Sequence, residues 1–137
     1  VLDNKGKKVY PIMGCYGIGT TRLMGVIVEK YSDKKGIIWP ESVAPFNVHL
    51  ISIPDREFYN TETLKIYEML KRKGVGVLYD DRENVSVGEK FADADLIGIP
   101  VRLVVSDKTK DKVEWKNRAS KKTELLEIKE VINRLQK

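Results

Sequence analysis

Three glycines and an arginine fall close together near the start of the chain. Gly14, Gly17 and Gly19 are spaced by three and then two residues, and Arg22 follows three residues later. Because glycine has no Cβ atom, a ligand can approach the backbone closely at these positions. An arginine adds a permanent planar cation that can pair with phosphate or stack on a base. The stretch therefore has the composition of a nucleotide-contacting turn.

Two familiar phosphate-binding patterns do not fit this spacing. A dinucleotide-binding turn requires G-x-G-x-x-G, whereas here the two glycine intervals come in the reverse order. A Walker A loop requires lysine before its final Ser or Thr, but Thr20 follows Gly19 directly. The glycines are equally compatible with close packing of a strand on a helix, with Arg22 as a solvated helix residue.

The residues on either side predict a strand, a turn and a helix. Residues 9–13 form a short apolar run, and the helix should begin near Thr20. Apolar residues then recur at helical spacing, at Leu23, Val26, Ile27 and Tyr31. The chain begins at Val1 rather than Met, and its first strand has no evident sheet neighbour. We therefore expect a piece of a longer protein, with that strand as its least secure part.

Gly14, Gly17, Gly19 and Arg22 resemble motif 3 of the class II aminoacyl-tRNA synthetases. The longer string, residues 13–19, Arg22, residues 38–40 and residues 44–46, resembles the bacterial-type prolyl-tRNA synthetase family. The resemblance implies that Arg22 binds ATP as a catalytic residue and that Gly17 and Gly19 allow close backbone approach to it. Thr21 departs from the general class II pattern, in which an acidic residue often precedes the arginine, but a small hydroxyl residue is common there in prolyl enzymes.

Composition fits a globular chain with an anionic partner. The chain has 137 residues, 42% of them hydrophobic, and a net charge of +5. Cys15 is its only cysteine and His49 its only histidine, so we expect no disulfide, no metal site and a reducing, cytoplasmic location. We interpret His49 as an ordinary strand residue. The longest apolar runs are too short to span a membrane.

From Phe46 onward, strand and helix patterns alternate. The pattern predicts strands at 47–53, 75–79, 101–105 and 113–117, with residues 122–126 either a fifth strand or the first turn of the last helix. Three helices are predicted. The first ends near Lys73, the second begins at Val87 after the Ser86-x-x-Glu89 capping box, and the third runs from Ile128 to the end of the chain. Parallel pairs are expected in the β-α-β-α-β part, with an antiparallel hairpin after it.

This order resembles the α/β anticodon-binding domain of the prolyl, threonyl, histidyl and glycyl synthetases. The residues that carry the resemblance are 80–82, 88–91 and 96–102. We expect an α/β fold, with a mixed five-stranded sheet and three helices, preceded by a strand–helix piece of a catalytic domain. The expected domains are residues 1–45, the C-terminal part of the class II catalytic domain, and residues 46–137, the anticodon-binding domain.

The resemblance directs attention to charged residues that could read an anticodon loop. Proline anticodons share two adjacent guanines, which offer acceptors to cations and N–H donors to carboxylates. Residues 102–122 contain eight cations and three acids, a net charge of +5. The candidate contacts are Asp81, Arg82, Lys90, Glu114, Lys116 and Arg118. The alternative is that these are solvated charges on the sheet; for Trp115 we expect core packing rather than base stacking.

The resemblance implies a parent enzyme that activates proline with ATP and Mg²⁺ and transfers it to tRNA(Pro). Segments resembling motifs 1 and 2 are missing, so the chain alone is expected to be inactive. The parent should be a homodimer and this piece a monomer, without membrane association. A stand-alone RNA-binding regulatory module derived from a synthetase is the alternative, and a nucleotide-binding regulatory protein is disfavoured by the phosphate-loop spacings.

Overall fold

The computed structural model describes residues 1–53, 57–106, 108–109 and 111–136, and only the backbone of residues 57–60. Across these ranges the chain forms four helices and seven strands. Among the described helices, none combines the length and apolar character needed to cross a membrane.

The first part of the chain contains helix α1 (Thr20–Lys30), which has no buried residue. It begins where the sequence predicts. The predicted strand at 9–13 is wrong, because these residues have no regular structure, and the bridge nearest to them joins Leu2 to Lys8. Val9 exchanges hydrogen bonds with Val1 at 2.9 and 3.2 Å, but in the described part of the chain no strand lies beside residues 10–13 to continue the pairing.

Two short strands follow α1 and pair antiparallel, β1 (Ser32–Asp33) and β2 (Gly36–Ile37). We refer to residues 32–37 as the hairpin. Two-residue strands are too short to show an alternating pattern, so this segment carries no strand signal in the sequence.

The second part of the chain is built on a five-stranded mixed sheet in the order β4-β3-β5-β6-β7. Its strands are β3 (Val48–Ile53), β4 (Val77–Asp80), β5 (Val101–Ser106), β6 (Lys112–Asn117) and β7 (Thr123–Glu127). β3 runs parallel to β4 and β5, whereas β6 and β7 continue antiparallel. The predicted α/β class and sheet are confirmed, and the ambiguous segment 122–126 is mostly strand.

Helices cover both faces of this sheet. α2 (Glu57–Arg72) and α4 (Ile128–Leu135) pack on one face, over the larger core around Leu50, Leu103 and Val131. α3 (Val87–Ile97) packs on the other face, over Ile51 and Val104. With α1, these are the four helices expected from the sequence.

Local sequence sets the two ends of α3. Ser86 Oγ accepts a hydrogen bond from the backbone N–H of Glu89 at 3.2 Å, as the capping box predicts. The helix ends at Gly98, whose φ of 78° lies in the left-handed region that favours glycine. α3 thereby runs from the loop after β4 to the hairpin and joins two regions that concern function.

Candidate nucleic-acid interface

A network of charged side chains lies where β4 ends and α3 begins. Arg82 donates from Nε and Nη2 to the two oxygens of Asp80, at 2.9 and 2.8 Å, and from Nη2 to Asp93 at 2.8 Å. The Asp80 side chain is 5% exposed, while that of Arg82 is 43% exposed. The carboxyl ends of parallel strands are where ligands of open α/β sheets bind, and we call this region the carboxyl edge.

The ion pairs fix the guanidinium of Arg82 in one orientation. Its hydrogen bonds raise the pKa of Arg82 further above its usual range and lower the pKa of Asp80. Nη1 has no hydrogen-bond partner among the described residues. A fixed guanidinium with one unused donor face at the surface can bind a phosphate or a guanine edge.

Lys90 occupies the buried side of this network. Its side chain is 3% exposed, and Nζ donates to the carbonyl oxygen of Ser52 at 2.8 Å and lies 3.9 Å from Asp80. Burial lowers the pKa of Lys90, and the charge of Asp80 partly opposes that effect. The structure does not favour the predicted RNA contact of Lys90, because its ammonium points into the protein.

Asp81 is exposed beside Arg82, as an RNA-contacting carboxylate should be. Around these two residues, Asp80, Asp81, Glu83 and Asp93 outnumber Arg82 and Lys90. The local charge is therefore negative, which does not suit a phosphate-binding patch. Carboxylates instead match the N1 and N2 hydrogens of guanine. Lys108, in the β5–β6 connection, and Lys112, the first residue of β6, are exposed cations at the end of the sheet where β5 ends.

The second predicted group lies on β6, on the face that α3 covers. Glu114 pairs with Arg102 at 3.6 Å, and Arg102 lies 3.9 Å from Asp95 of α3. The Arg102 guanidinium also stacks 4.3 Å from the centre of the Phe91 ring. Glu114 and Lys116 are half-buried, and Lys116 makes no ion pair with the described residues.

Arg118 is the clearest departure from the predicted site. It follows the last residue of β6, its side chain is 6% exposed, and it forms two hydrogen bonds with Asp33 at 2.8 and 2.9 Å. Its Nε donates to the carbonyl oxygen of Asp95 at 2.9 Å. The ion pair raises the pKa of Arg118 and lowers that of Asp33. An RNA contact by Arg118 is disfavoured because the guanidinium is already fully engaged inside the protein.

The six predicted residues therefore fall into two groups rather than one site. Asp81, Arg82 and Lys90 lie at one end of the sheet, by β4. Glu114 and Lys116 lie on β6, and Arg118 follows the end of that strand, where Asn117 pairs with Val101, the first residue of β5. Two strands separate β4 from β6.

Sequence reasoning missed the partners that hold these groups. Asp80 is adjacent to the predicted pair, so its place at a strand end was a usable signal. Asp93, Arg102 and Asp33 carried none, because each meets its partner only after the chain has folded. The interpretation of Trp115 agrees with the structure, which packs it against the larger core beneath Arg134.

The glycine–arginine segment is exposed throughout. Gly19 is the N-cap of α1 and receives no side-chain cap, and the first turn contains no acidic residue. Nothing lies within 4 Å of a Cβ placed on Gly17. Arg22 is exposed and makes no hydrogen bond or ion pair with the described residues. The segment leaves open backbone, a cation and free helix N–H groups on the same surface.

Among the described residues, no group of three or more His, Cys, Asp or Glu side chains is placed to hold a metal. Cys15 is an exposed free thiol. His49 is a buried strand residue, as interpreted from the sequence.

The sheet order β4-β3-β5-β6-β7, with α2 and α4 on one face and α3 on the other, defines a mixed α/β domain. A family model described as "Anticodon binding domain" matches residues 42–137. The chain therefore belongs to the anticodon-binding domain family.

Curated relatives extend the similarity over nearly the whole chain. A proline–tRNA ligase of Sulfurihydrogenibium sp. (strain YO3AOP1) is 50% identical over 98% of this chain and 24% of its own length. A proline–tRNA ligase of Treponema denticola is 43% identical over 99% of this chain and 23% of its own. The chain thus spans about a quarter of the length of the curated relatives it matches.

Solved structures agree with the fold. The prolyl-tRNA synthetase of Cryptosporidium parvum, complexed with L-proline and AMP, superposes with a TM-score of 0.76 at 28% identity, covering 85% of this chain and 26% of that one. A second structure of that enzyme, complexed with halofuginone and AMPPNP, gives a TM-score of 0.77.

Proposed function

We propose that this chain is the anticodon-binding part, with an adjoining piece of the catalytic domain, of a proline–tRNA ligase. The whole enzyme activates proline with ATP and transfers it to tRNA(Pro). The observation that carries this proposal is the 50% identity to a proline–tRNA ligase over 98% of the chain. The match includes the glycine–arginine segment as well as the sheet domain, which argues against a regulatory module that retains only the RNA-binding part. The proposed location is the cytoplasm, in keeping with a single exposed thiol.

In this proposal the carboxyl edge reads the anticodon guanines. Asp81 accepts hydrogen bonds from guanine N1 and N2, and Arg82 donates from its unused nitrogen to a guanine acceptor or a neighbouring phosphate. The Asp80 and Asp93 carboxylates hold Arg82 in place, so little side-chain entropy is lost on binding. Lys108 and Lys112 supply phosphate contacts at the same edge, and Lys116 is a peripheral contact.

The first part of the chain contributes to the ATP site of the whole enzyme. Arg22 neutralises phosphate charge or stacks on adenine, and the open backbone at Gly17 and Gly19 lets the nucleotide approach. These exposed, unpaired groups fit a nucleotide. Mg²⁺ is proposed to bind together with the ATP phosphates. The proposed division is residues 1–45 and 46–137, and the parent enzyme is proposed to be a homodimer.

Binding measurements test the RNA part of the proposal. The chain is titrated with proline tRNA and with a variant in which both anticodon guanines are replaced, at one stated salt concentration. We expect tighter binding of the cognate tRNA by tenfold or more. Equal affinity for the two RNAs would reduce the domain to a general electrostatic surface.

A further inference from the structure

The hairpin is docked against the end of α3 by several independent contacts. Lys35 pairs with Asp95 of α3 at 3.2 Å. Trp39, two residues beyond the hairpin, donates from its backbone N–H to Gly98 at 3.1 Å and from its indole to the carbonyl of Ile97 at 3.0 Å. The segment that follows α1 is therefore attached to the anticodon-binding domain by backbone and side-chain bonds.

Close approach of two backbones adds to this attachment. A Cβ atom on Gly36 would overlap the backbone of Leu96, and one on Gly98 would overlap the carbonyl of Ile37. Both glycines also have positive φ angles, 148° and 78°. Larger residues at either position would force the hairpin and α3 apart.

The ion pair of Asp33 with Arg118 lies at the centre of this contact. Arg118 comes from the far end of β6 and uses three nitrogens, two on Asp33 and one on the Asp95 carbonyl. Asp33 also accepts the backbone N–H groups of Lys35 and Gly36, at 2.8 and 3.1 Å. The same carboxylate thus shapes the hairpin turn and attaches it to the sheet.

No flexible spacer separates the hairpin from α1. The helix ends at Lys30, Tyr31 donates its N–H back to Ile27 at 2.8 Å, and Tyr31 in turn accepts from Ile38 at 2.8 Å. β1 begins at the next residue, Ser32. The direction in which α1 leaves the domain is consequently set by how the hairpin is held.

We propose that Asp33 and Arg118 form a latch that orients the Arg22-bearing helix relative to the anticodon-binding domain. This inference rests on the proposed function. In a ligase, a tRNA whose anticodon is held at one end must present its acceptor end to the ATP-binding part, and a fixed angle between the two makes this geometry frequent. Both are positioning residues, because neither touches the nucleotide or the anticodon.

The test uses the full-length gene product that contains this chain. Asp33→Asn keeps the shape of the side chain and removes its charge. We expect the kcat/KM for tRNA in prolylation to fall at least tenfold, while proline-dependent ATP–pyrophosphate exchange, which needs no tRNA, stays within twofold. The matched control is Glu124→Gln, which breaks the 2.9 Å pair with Arg134 on the opposite face of the sheet and should change neither rate.

One further variant and one further measurement separate orientation from general stability. The exchange Asp33→Arg with Arg118→Asp restores an ion pair and should recover part of the tRNA-dependent activity lost in Asp33→Asn. Hydrogen exchange of the peptide covering residues 36–39 should be faster in Asp33→Asn, with β3 and β5 peptides unchanged. Equal losses of prolylation and of ATP–pyrophosphate exchange, or no loss of either, would overturn the latch.

Failure of the proposed function is recognisable separately. If the wild-type protein does not join proline to tRNA, the proposed function is wrong, and the hydrogen-exchange measurement alone decides the latch. Faster hydrogen exchange at residues 36–39 in Asp33→Asn would support the latch, and unchanged hydrogen exchange would overturn the latch.

Discussion

His49 on β3 and Arg102 on β5 are register partners, and each has one buried nitrogen without a hydrogen-bond partner among the described residues. The atoms are His49 Nδ1 and Arg102 Nε. Burial lowers the pKa of His49, and the neighbouring charges act in both directions: Asp80 and Asp93 raise it, while Arg102 and Arg82 lower it. The imidazole is therefore neutral in the folded protein near neutral pH.

The first prediction concerns pH. The pKa of His49 in the folded protein lies below its unfolded value of about 6.5. Between these two pKa values the unfolded chain binds a proton at His49 and the folded chain does not. The contribution of His49 to the free energy of unfolding is fully present above about pH 6.5, and it is lost as the pH drops from there towards the folded pKa. Urea unfolding at pH 7.5 and 5.5 should show this loss, and His49→Leu should remove it. The chain has no other histidine, so an undiminished pH slope in the variant would contradict the explanation.

The second prediction concerns Arg82. Arg82→Lys loses the fork that pairs with Asp80 and Asp93, so the remaining cation is no longer oriented. Affinity for cognate tRNA should fall by about 1–3 kcal/mol, and less for the RNA with replaced guanines. Arg72→Lys, the same change at the exposed end of α2, serves as the control. Equal losses with both RNAs would assign Arg82 to a phosphate contact instead.

The third prediction separates the buried lysine from RNA binding. Lys90→Met removes the hydrogen bond to Ser52 and leaves Asp80 with Arg82 as its remaining ion-pair partner. Stability should fall by about 1–3 kcal/mol. The preference for cognate tRNA over the guanine-replaced RNA should be kept, which competitive binding on the folded fraction can measure. A lost preference would return Lys90 to the interface.

The fourth prediction concerns the glycine that ends α3. Gly98→Ala places a methyl group in a left-handed conformation and against Ile37. It should destabilise the protein by more than about 1 kcal/mol and speed hydrogen exchange at residues 36–39. Gly25→Ala is the matched control, because Gly25 lies inside α1 with nothing within 4 Å of an added Cβ. That change should stabilise α1 by up to about 1 kcal/mol.

The fifth prediction concerns catalysis. The 137-residue chain by itself should form no prolyl-adenylate, because in the proposed function Arg22 and the open glycines supply only one side of the ATP site. The measurement is proline-dependent ATP–pyrophosphate exchange by the short chain, with the full-length gene product as the positive control. Exchange above background by the short chain would contradict the proposed division of the enzyme.

The sheet domain was largely predictable because its signals are local. Strand and helix periods alternate from Phe46 on, and the capping box places the start of α3 correctly. Where packing decides, the residue type alone does not predict burial: on α2 the apolar Leu64 is 49% exposed, whereas Thr63 is fully buried and forms a hydrogen bond with Ser52 of β3 at 3.3 Å. The position of a hydroxyl residue in the hydrophobic pattern does not show whether its side chain forms a buried hydrogen bond or is solvated.

The charged site was only partly predictable for the same reason. Asp81 and Arg82 lie at a strand end, which the sequence locates. Arg118 continues the alternation of Glu114 and Lys116 in the sequence, which favours an exposed candidate contact, but β6 ends at Asn117 and Arg118 turns towards Asp33. A contact across 85 residues leaves no trace in local spacing.

The pairing of Arg118 with Asp33 also affects how strongly salt should weaken RNA binding. Each phosphate neutralised by a protein cation releases condensed counterions, and the logarithm of the affinity falls with the logarithm of salt concentration by about 0.7 per contact for single strands. Arg118 and Arg102 are already matched by internal carboxylates, so they release none. The salt dependence of tRNA binding should therefore be shallower than the basic run at 102–122 suggests. A larger part of the binding free energy should come from contacts to the bases, which salt does not weaken in this way.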